Sequence, residues 1–308
     1  MNELFAADPC VCESARDLRL LLKSFGPYTG RYLANYSKND WIAQVKKQCE
    51  HLGEVEISNI KDQLQRAKDN LKLIGSERLT WRPERDWQEN AEDLLESRIL
   101  NGLISKQNKP PLIHTLDSLE LRATADERIE GEANEYARVT ERLLRLSPKI
   151  AFIDPFLDPT QDGCKEVMQA LLNIVAKGKC EEIILWARAS AVTGLKYPIQ
   201  NPTIIEDERN KRTLNKLENE LKYLTKNANF KRKCTIEMLL VDDKGSDKMH
   251  ARYLLSKHGG IRLDQGFREV SGQPVDVSPI GEAIHLDLCN YYFGNNSMKI
   301  RHRFKQPC

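Results

Sequence analysis

The stretch Lys248-Met249-His250-Ala251-Arg252-Tyr253-Leu254-Leu255-Ser256 sets an imidazole and a guanidinium two residues apart. Alternate residues of a β-strand project from one face, so a strand here would place His250 beside Arg252. The pair suits a phosphodiester: the cation neutralises the phosphate oxygens while the imidazole attacks or transfers a proton. Gly259-Gly260 then permits a tight turn into a further strand, Ile261-Arg262-Leu263. Lys257 and Arg262 supply more positive charge for phosphate. Asp154 and Asp158 are the acids expected to orient the pair. The rival reading is architectural, with His250 and Arg252 hydrogen-bonding Asp154, Asp158 or Asp242 to hold the sheet ends together.

A second group of candidates is electrostatic. The net charge is only +2, yet residues 209–233 carry nine Lys/Arg against Glu218 and Glu220. Arg209, Arg212, Lys231, Arg232 and Lys233 from this segment are therefore candidate phosphate ligands. The stretch from Asn296 to Cys308 adds four Lys/Arg and no acid. The alternative is a solvated helix face. The cluster Phe25, Tyr28, Arg31, Tyr32, Tyr36, Lys38, Trp41 offers rings and charge for stacking on bases, but core packing of a small helical domain accounts for it better.

Other chemistry finds little support. The eight cysteines are scattered, with only Cys10 and Cys12 close-spaced and no Cys-x-x-Cys, a pattern of reduced thiols rather than bridges or zinc. Asp154, Glu181 and Glu182 do not make a restriction-type Mg²⁺ core, because no lysine follows in Ile183-Ile184-Leu185-Trp186. His114, His258, His285 and His302 lack a partner at ligand spacing. No metal and no cofactor is expected. Asn295-Asn296-Ser297 reads as a turn.

These residues need elements to position them. The 308-residue length points to two domains. Residues 1–146 read as a mostly helical N-terminal domain: Leu18, Leu20, Leu21, Leu22 and Phe25 up to Gly26-Pro27; Tyr32 to Val45 with Asn39 or Asp40 as cap; Ile57 to Leu71; Trp87 to Leu103; and Glu127 to Leu146. Residues 147–308 read as an α/β domain with a mixed sheet flanked by helices. Ile150-Ala151-Phe152-Ile153 is a buried strand ending at Asp154-Pro155-Phe156, followed by a helix through Val175 and a second strand at Ile183–Ala187. A polar helix over 205–226, strand-like runs at 235–241, 249–255 and 260–263, and a closing helix within 279–293 complete it. With 30% charged and 40% hydrophobic residues, no long apolar run and no secretory pattern after Met1, the sequence suggests a cytoplasmic protein without a membrane span.

His-x-Arg on a strand followed by Gly-Gly-Ile-Arg-Leu-x-x-Gly, with Asp154-Pro155-Phe156 ending an earlier strand, resembles the phospholipase D-like superfamily. The nearest form is the degenerate one at the C-terminus of MIT-domain proteins and bacterial relatives, and the likeness covers about residues 148–293. Active members carry His-x-Lys-x-x-x-x-Asp twice. Here Arg252 stands for the lysine, Lys257 for the aspartate, and no second motif occurs, so catalysis would need a homodimer joining two His250. The degenerate branch implies a non-catalytic domain that binds acidic phospholipid surfaces or partners, but no amphipathic basic helix supports a membrane role here. With the basic segments, the favoured reading is a non-catalytic domain engaging nucleic-acid phosphates, DNA first, alongside other protein subunits in a prokaryotic defence or mobile-element assembly, by analogy with bacterial relatives. The rivals are a metal-independent nuclease or phosphodiesterase using His250, and a pure protein-interaction scaffold.

Overall fold

Short apolar runs near the start of the chain pair with one another as strands, where helices were expected. The computed structural model describes residues 3–36, 40–70, 72–75, 79, 82, 84–97, 99–106, 113–114, 126–195, 208–242, 249–294 and 298–308. The chain divides into two units, Met1–Ala125 and Asp126–Cys308.

In the first unit the elements run β1 (Glu3–Ala7), α1 (Ala15–Lys23), β2 (Arg31–Ala34), α2 (Asp40–Gln48), α3 (Glu54–Asp69), β3 (Leu73–Ile74), α4 (Trp87–Glu96), β4 (Gly102–Ile104) and β5 (Ile113–His114). The strands form one sheet in the order β3-β2-β1-β4-β5, every pairing parallel. The order reverses at β1, the pattern of a doubly wound α/β sheet. The unit is therefore α/β, and this corrects the mostly helical expectation. The reason is local. Leu4–Ala7, Tyr32–Ala34 and Gly102–Ile104 are buried throughout, so they lack the apolar–polar alternation that marks a half-exposed strand. The expected helices around Leu18, Trp41, Ile60 and Leu94 are present as α1 to α4. Phe25, Tyr32, Tyr36 and Trp41 are buried; Phe25 packs edge-to-face on Phe5 at 5.7 Å, and the Trp41 indole donates to the Ala7 carbonyl at 2.7 Å. These rings are core. Lys38 and Asn39 lie outside the described residues.

The second unit begins with β6 (Glu127–Gly131) and α5 (Ala133–Leu146), followed by β7 (Lys149–Ile153), α6 (Asp162–Val175), β8 (Glu182–Arg188), α7 (Glu208–Ala228), β9 (Thr235–Asp242), β10 (Arg252–Ser256), β11 (Gly259–Leu263), β12 (Val270–Pro279), α8 (Glu282–Tyr292) and β13 (Lys299–Pro307). Its start at Asp126 departs from the expected boundary at 147, because β6 pairs with β12 and α5 packs on α6. The eight-stranded sheet has the order β13-β9-β8-β7-β10-β11-β12-β6. Parallel β7, β8 and β9 form its centre, and β10 and β13 run antiparallel on either side. This is the mixed sheet expected for the C-terminal half.

Both faces of that centre are buried. Ala151, Ile153, Ile184, Trp186, Leu239, Val241 and Leu255 point to one side and pack with Tyr292 of α8; Trp186 meets Tyr292 edge-to-face at 5.6 Å. The alternate residues Ile150, Phe152, Ile183, Leu185, Ile236, Met238 and Leu254 are buried as well. They face the α5–α6–α7 layer, as the bond from Gln306 of β13 to Thr225 of α7 at 2.9 Å shows for its outer part. Each buried Val, Leu, Ile, Phe or Met among them stabilises the unit by roughly 1.5–3 kcal/mol before entropy is counted.

Candidate functional site

Asp154 follows the last residue of β7, on the Phe152 face. The antiparallel register pairs Ile153 with Tyr253 and Phe152 with Leu254, so the next step brings Asp154 opposite Arg252. The Phe156 and Phe267 amides donate to the two Asp154 oxygens at 2.8 and 3.0 Å. Arg252 Nε stands 4.0 Å from the same carboxylate, and Nη1 donates to the Asp264 carbonyl at 3.0 Å. Burial raises the Asp154 pKa, opposed by those two amides and by the positive charges of Arg252 and Arg268. Gly266 closes the arrangement. It has φ +76°, and a Cβ there would lie 2.1 Å from Asp154 Oδ2, so only glycine lets the backbone approach this carboxylate.

Above the carboxylate lies Phe156, 53% exposed. Arg252 Cζ is 5.6 Å from its ring centroid. Arg188, the last residue of β8, has its Cζ 5.9 Å from the same ring, with Nη2 3.5 Å from the Met249 carbonyl. Two guanidinium groups thus share one half-exposed aromatic face at the strand ends, beside the Asp154 carboxylate. The place is partly desolvated and joins cations to π surface, suited to an anion attached to a flat ring.

The loops leaving β7 and β8 lead into α6 and α7, and a groove between these helices is lined by Lys165, Arg212, Asn215, Lys216, Glu220 and Tyr223. Lys165 Nζ is 2.7 Å from Glu220 and 4.7 Å from the Tyr223 ring centroid. Arg209 Nε donates to the Gly194 carbonyl at 3.2 Å, docking the first turn of α7.

The sequence-expected residues fare differently. His250 does not share a strand with Arg252: it lies exposed in a bend, and β10 opens only at Arg252. Met249 just before it is buried in the α8-side core, which anchors the bend. Lys248 lies outside the described residues. Lys257 sits in the exposed turn at the far end of β10, five residues and about 16 Å of strand from Arg252. Arg262 pairs with Tyr253 and is exposed on the α8 side, opposite to Arg252. Neither joins one phosphate site with Arg252. Asp158 accepts from Thr160, Gln161 and, at 3.1 Å, the Thr193 amide; it ties the loop before α6 to the one after β8 and so fixes loops rather than orienting His250. Arg209 and Arg212 open α7, while Lys231, Arg232 and Lys233 lie beyond its other end, about 30 Å away for a 21-residue helix. The basic segment is therefore two patches. Asn295–Ser297 lie outside the described residues. Arg188, Lys165 and Tyr223 were not foreseen, and Lys216 only as one charge of the 209–233 segment. The signal for Arg188 was its place at the end of a strand parallel to β7, where side chains of neighbouring strand ends converge.

Two further pairs look reactive and are not. Cys289 Sγ is 3.3 Å from His285 Nε2, the spacing of a thiol–imidazole dyad. However, that nitrogen is 2.7 Å from the Ser256 carbonyl, which can only accept, so Nε2 carries the proton and cannot take one from sulfur. Burial then leaves the Cys289 thiol pushed up to about 11. His302 is held 3.2 Å from Glu218. Among the described residues, no group of three or more ligand-type side chains could hold a metal ion, and no helix is long and apolar enough to cross a membrane. No family model and no curated protein matches the sequence.

Proposed function

We propose that the second unit is a phospholipase D-like domain that binds the phosphates and bases of a nucleic-acid strand without cleaving it. One observation carries the reading: the Arg188 and Arg252 guanidinium groups flank the half-exposed Phe156 ring, within 6 Å, at the ends of β8 and β10. A base can lie on the ring while the adjoining phosphates meet the cations, the combination single-strand binders use. The α6–α7 groove repeats it, with Tyr223 52% exposed beside Lys165, Arg212 and Lys216. Binding without hydrolysis fits the acids. Asp154 is occupied by two amides and Arg252, and Asp158 by Thr160, Gln161 and Thr193, so neither is committed to a histidine base.

The test is a titration of the whole chain against single-stranded DNA, single-stranded RNA and duplex DNA between about 50 and 200 mM salt. The expected result is affinity for single strands that weakens steeply with salt while the strand stays intact. Affinity indifferent to salt, or no affinity, overturns the proposal. Metal-independent cleavage that disappears in His250→Ala would replace it with the nuclease reading.

A further inference from the structure

Three thiols that lie far apart in sequence meet at one edge of the eight-stranded sheet. Register makes this necessary. Pro307 of β13 pairs with Thr235 of β9, and the Cys308 amide donates to the Cys234 carbonyl at 2.9 Å, so Cys308 and Cys234 are directly opposed on adjacent antiparallel chains. Even-numbered residues of both strands face α7, as Gln306 does, so the two side chains leave on the same side. A directly opposed pair of this kind has its Cα atoms about 5.5 Å apart, inside the range a disulfide spans. On the other flank Glu182 of β8 pairs with Thr235, and the Thr235 amide donates to the Glu181 carbonyl at 2.9 Å. This brings Cys180 to the same end. Cys180 and Cys234 are buried, whereas Cys308 is partly exposed. All three are free thiols, and they do not form a metal-holding group.

We propose that Cys234 and Cys308 are a peroxide-sensitive thiol pair, closing a reversible disulfide that staples edge strand β13 to β9. Where the three thiols crowd together, their mutual interaction draws the Cys234 pKa below the ordinary thiol range and pushes those of Cys180 and Cys308 up. Partly exposed Cys308 gives its proton to solvent, and the Cys308 thiolate attacks one oxygen of hydrogen peroxide. The S–O bond forms, the O–O bond breaks, and the departing hydroxide recovers the proton that Cys308 released and leaves as water. The Cys234 thiolate then attacks the Cys308 sulfenic sulfur; the S–S bond forms, the S–O bond breaks, and hydroxide leaves to solvent. Peroxide is reduced by two electrons and the two sulfurs are oxidised by one each. Cys308 is the sulfur that peroxide reaches, and Cys180 is a positioning residue that keeps the charge on Cys234.

The experiment exposes the reduced full chain to one equivalent of hydrogen peroxide and maps its peptides without reduction. The expected result is a loss of two hydrogens, a Cys234–Cys308 linked peptide, an unfolding temperature higher by at least about 5 °C, and full reversal by a dithiol. Cys308→Ser should abolish the linkage while its folded spectrum is unchanged. Cys180→Ala should keep the linkage but form it several-fold more slowly near neutral pH. Oxidation of exposed Cys10 with Cys234 and Cys308 left reduced, or a bond between Cys180 and Cys234 instead, overturns the proposal. So does tight uptake of one zinc ion by the reduced chain with loss of peroxide reactivity, which would make the cluster a metal centre. None of these outcomes depends on nucleic-acid binding.

Discussion

Charge and ring make separable contributions at the strand ends, and the separation can be measured. Arg188, Arg252, Arg212 and Lys216 line the proposed path. Four phosphate contacts to a single strand give a slope of log affinity against log salt near −3, so a fourfold rise in salt weakens binding roughly 50-fold. Replacing Arg188 or Arg252 by alanine should lower the magnitude of that slope by about 0.7 each. Phe156→Ala should leave the slope intact and remove base stacking, about 1–3 kcal/mol or roughly 5- to 150-fold at every salt concentration. Half the ring is already in solvent, so its removal costs little stability. Arg252→Ala also strips a positive neighbour from buried Asp154, so Arg252→Lys serves as the companion variant: it keeps the slope and loses the planar contact with the ring. Fluorescence anisotropy on a labelled oligonucleotide at four salt concentrations reads all of these. Should Phe156→Ala change affinity less than twofold, or alter the slope as much as the arginine variants, the ring would not be a stacking platform and the argument from its two guanidinium neighbours would fail.

Three further outcomes follow from the same geometry. Gly266→Ala forces a Cβ against Asp154 Oδ2 at a positive φ, and the second unit should lose about 1–3 kcal/mol or more from strain alone, read as a lower urea midpoint; an unchanged midpoint would show that the loop relaxes freely. The raised Asp154 pKa means that the native state binds more protons than the unfolded state between the ordinary carboxylate pKa and the raised one. Stability should therefore fall as pH climbs through that window, and Asp154→Asn should flatten this part of the curve while lowering its whole level, since an amide cannot accept from both the Phe156 and Phe267 amides. Arg301 and Asp242 form an ion pair that joins β13 to β9 with the arginine almost wholly buried, so Asp242→Asn should cost about 3–5 kcal/mol in chemical denaturation; a loss under 1 kcal/mol would mark the pair as solvated.

The parts of the fold that could be read from the sequence are those with a period. Leu18, Leu21 and Leu22, or Val167, Leu171 and Leu172, mark a helix because burial falls on one stripe. Ile150–Ile153 and Ile183–Ala187 stand out as strands because longer helices bracket them. The parallel sheet of the first unit offers neither clue. Strands β1 to β4 are two to five residues long and buried on both faces, so Tyr32 and Leu33 merge into the apolar pattern of the helix that follows. Strand β12 escapes for the opposite reason: Val270–Pro279 is largely exposed, carries Gly272 and Pro274, and slips register between Val270 and Pro274, so nothing about it looks like sheet until β6 pairs with it.

The candidate site was legible where it depends on chain neighbours and illegible where it depends on register. Asp154 and Phe156 were recognisable as residues at a strand end, whereas the sequence pattern puts Arg252 inside a strand over 249–255 that in fact opens at Arg252. That Arg188 reaches the same ring follows only from the parallel pairing of β7 with β8, which sets Ile153 beside Trp186 and so brings Arg188, two residues on, level with Pro155 just before Phe156. The same argument divides the basic residues. Charge counted along the chain joins Arg209 to Lys233, but a helix of 21 residues carries its ends to opposite edges of the sheet, so Arg212 can share a ligand with Lys165 while Lys231–Lys233 cannot. A two-residue spacing gave His250 and Arg252 a common face only on condition that both belong to the strand. Because Met249 is drawn into the core beside Trp186 and the strand opens three residues later, the imidazole turns to solvent and the guanidinium stays with Asp154. What remains at these strand ends is a ring between two guanidinium groups, with no imidazole aligned beside it on the strand.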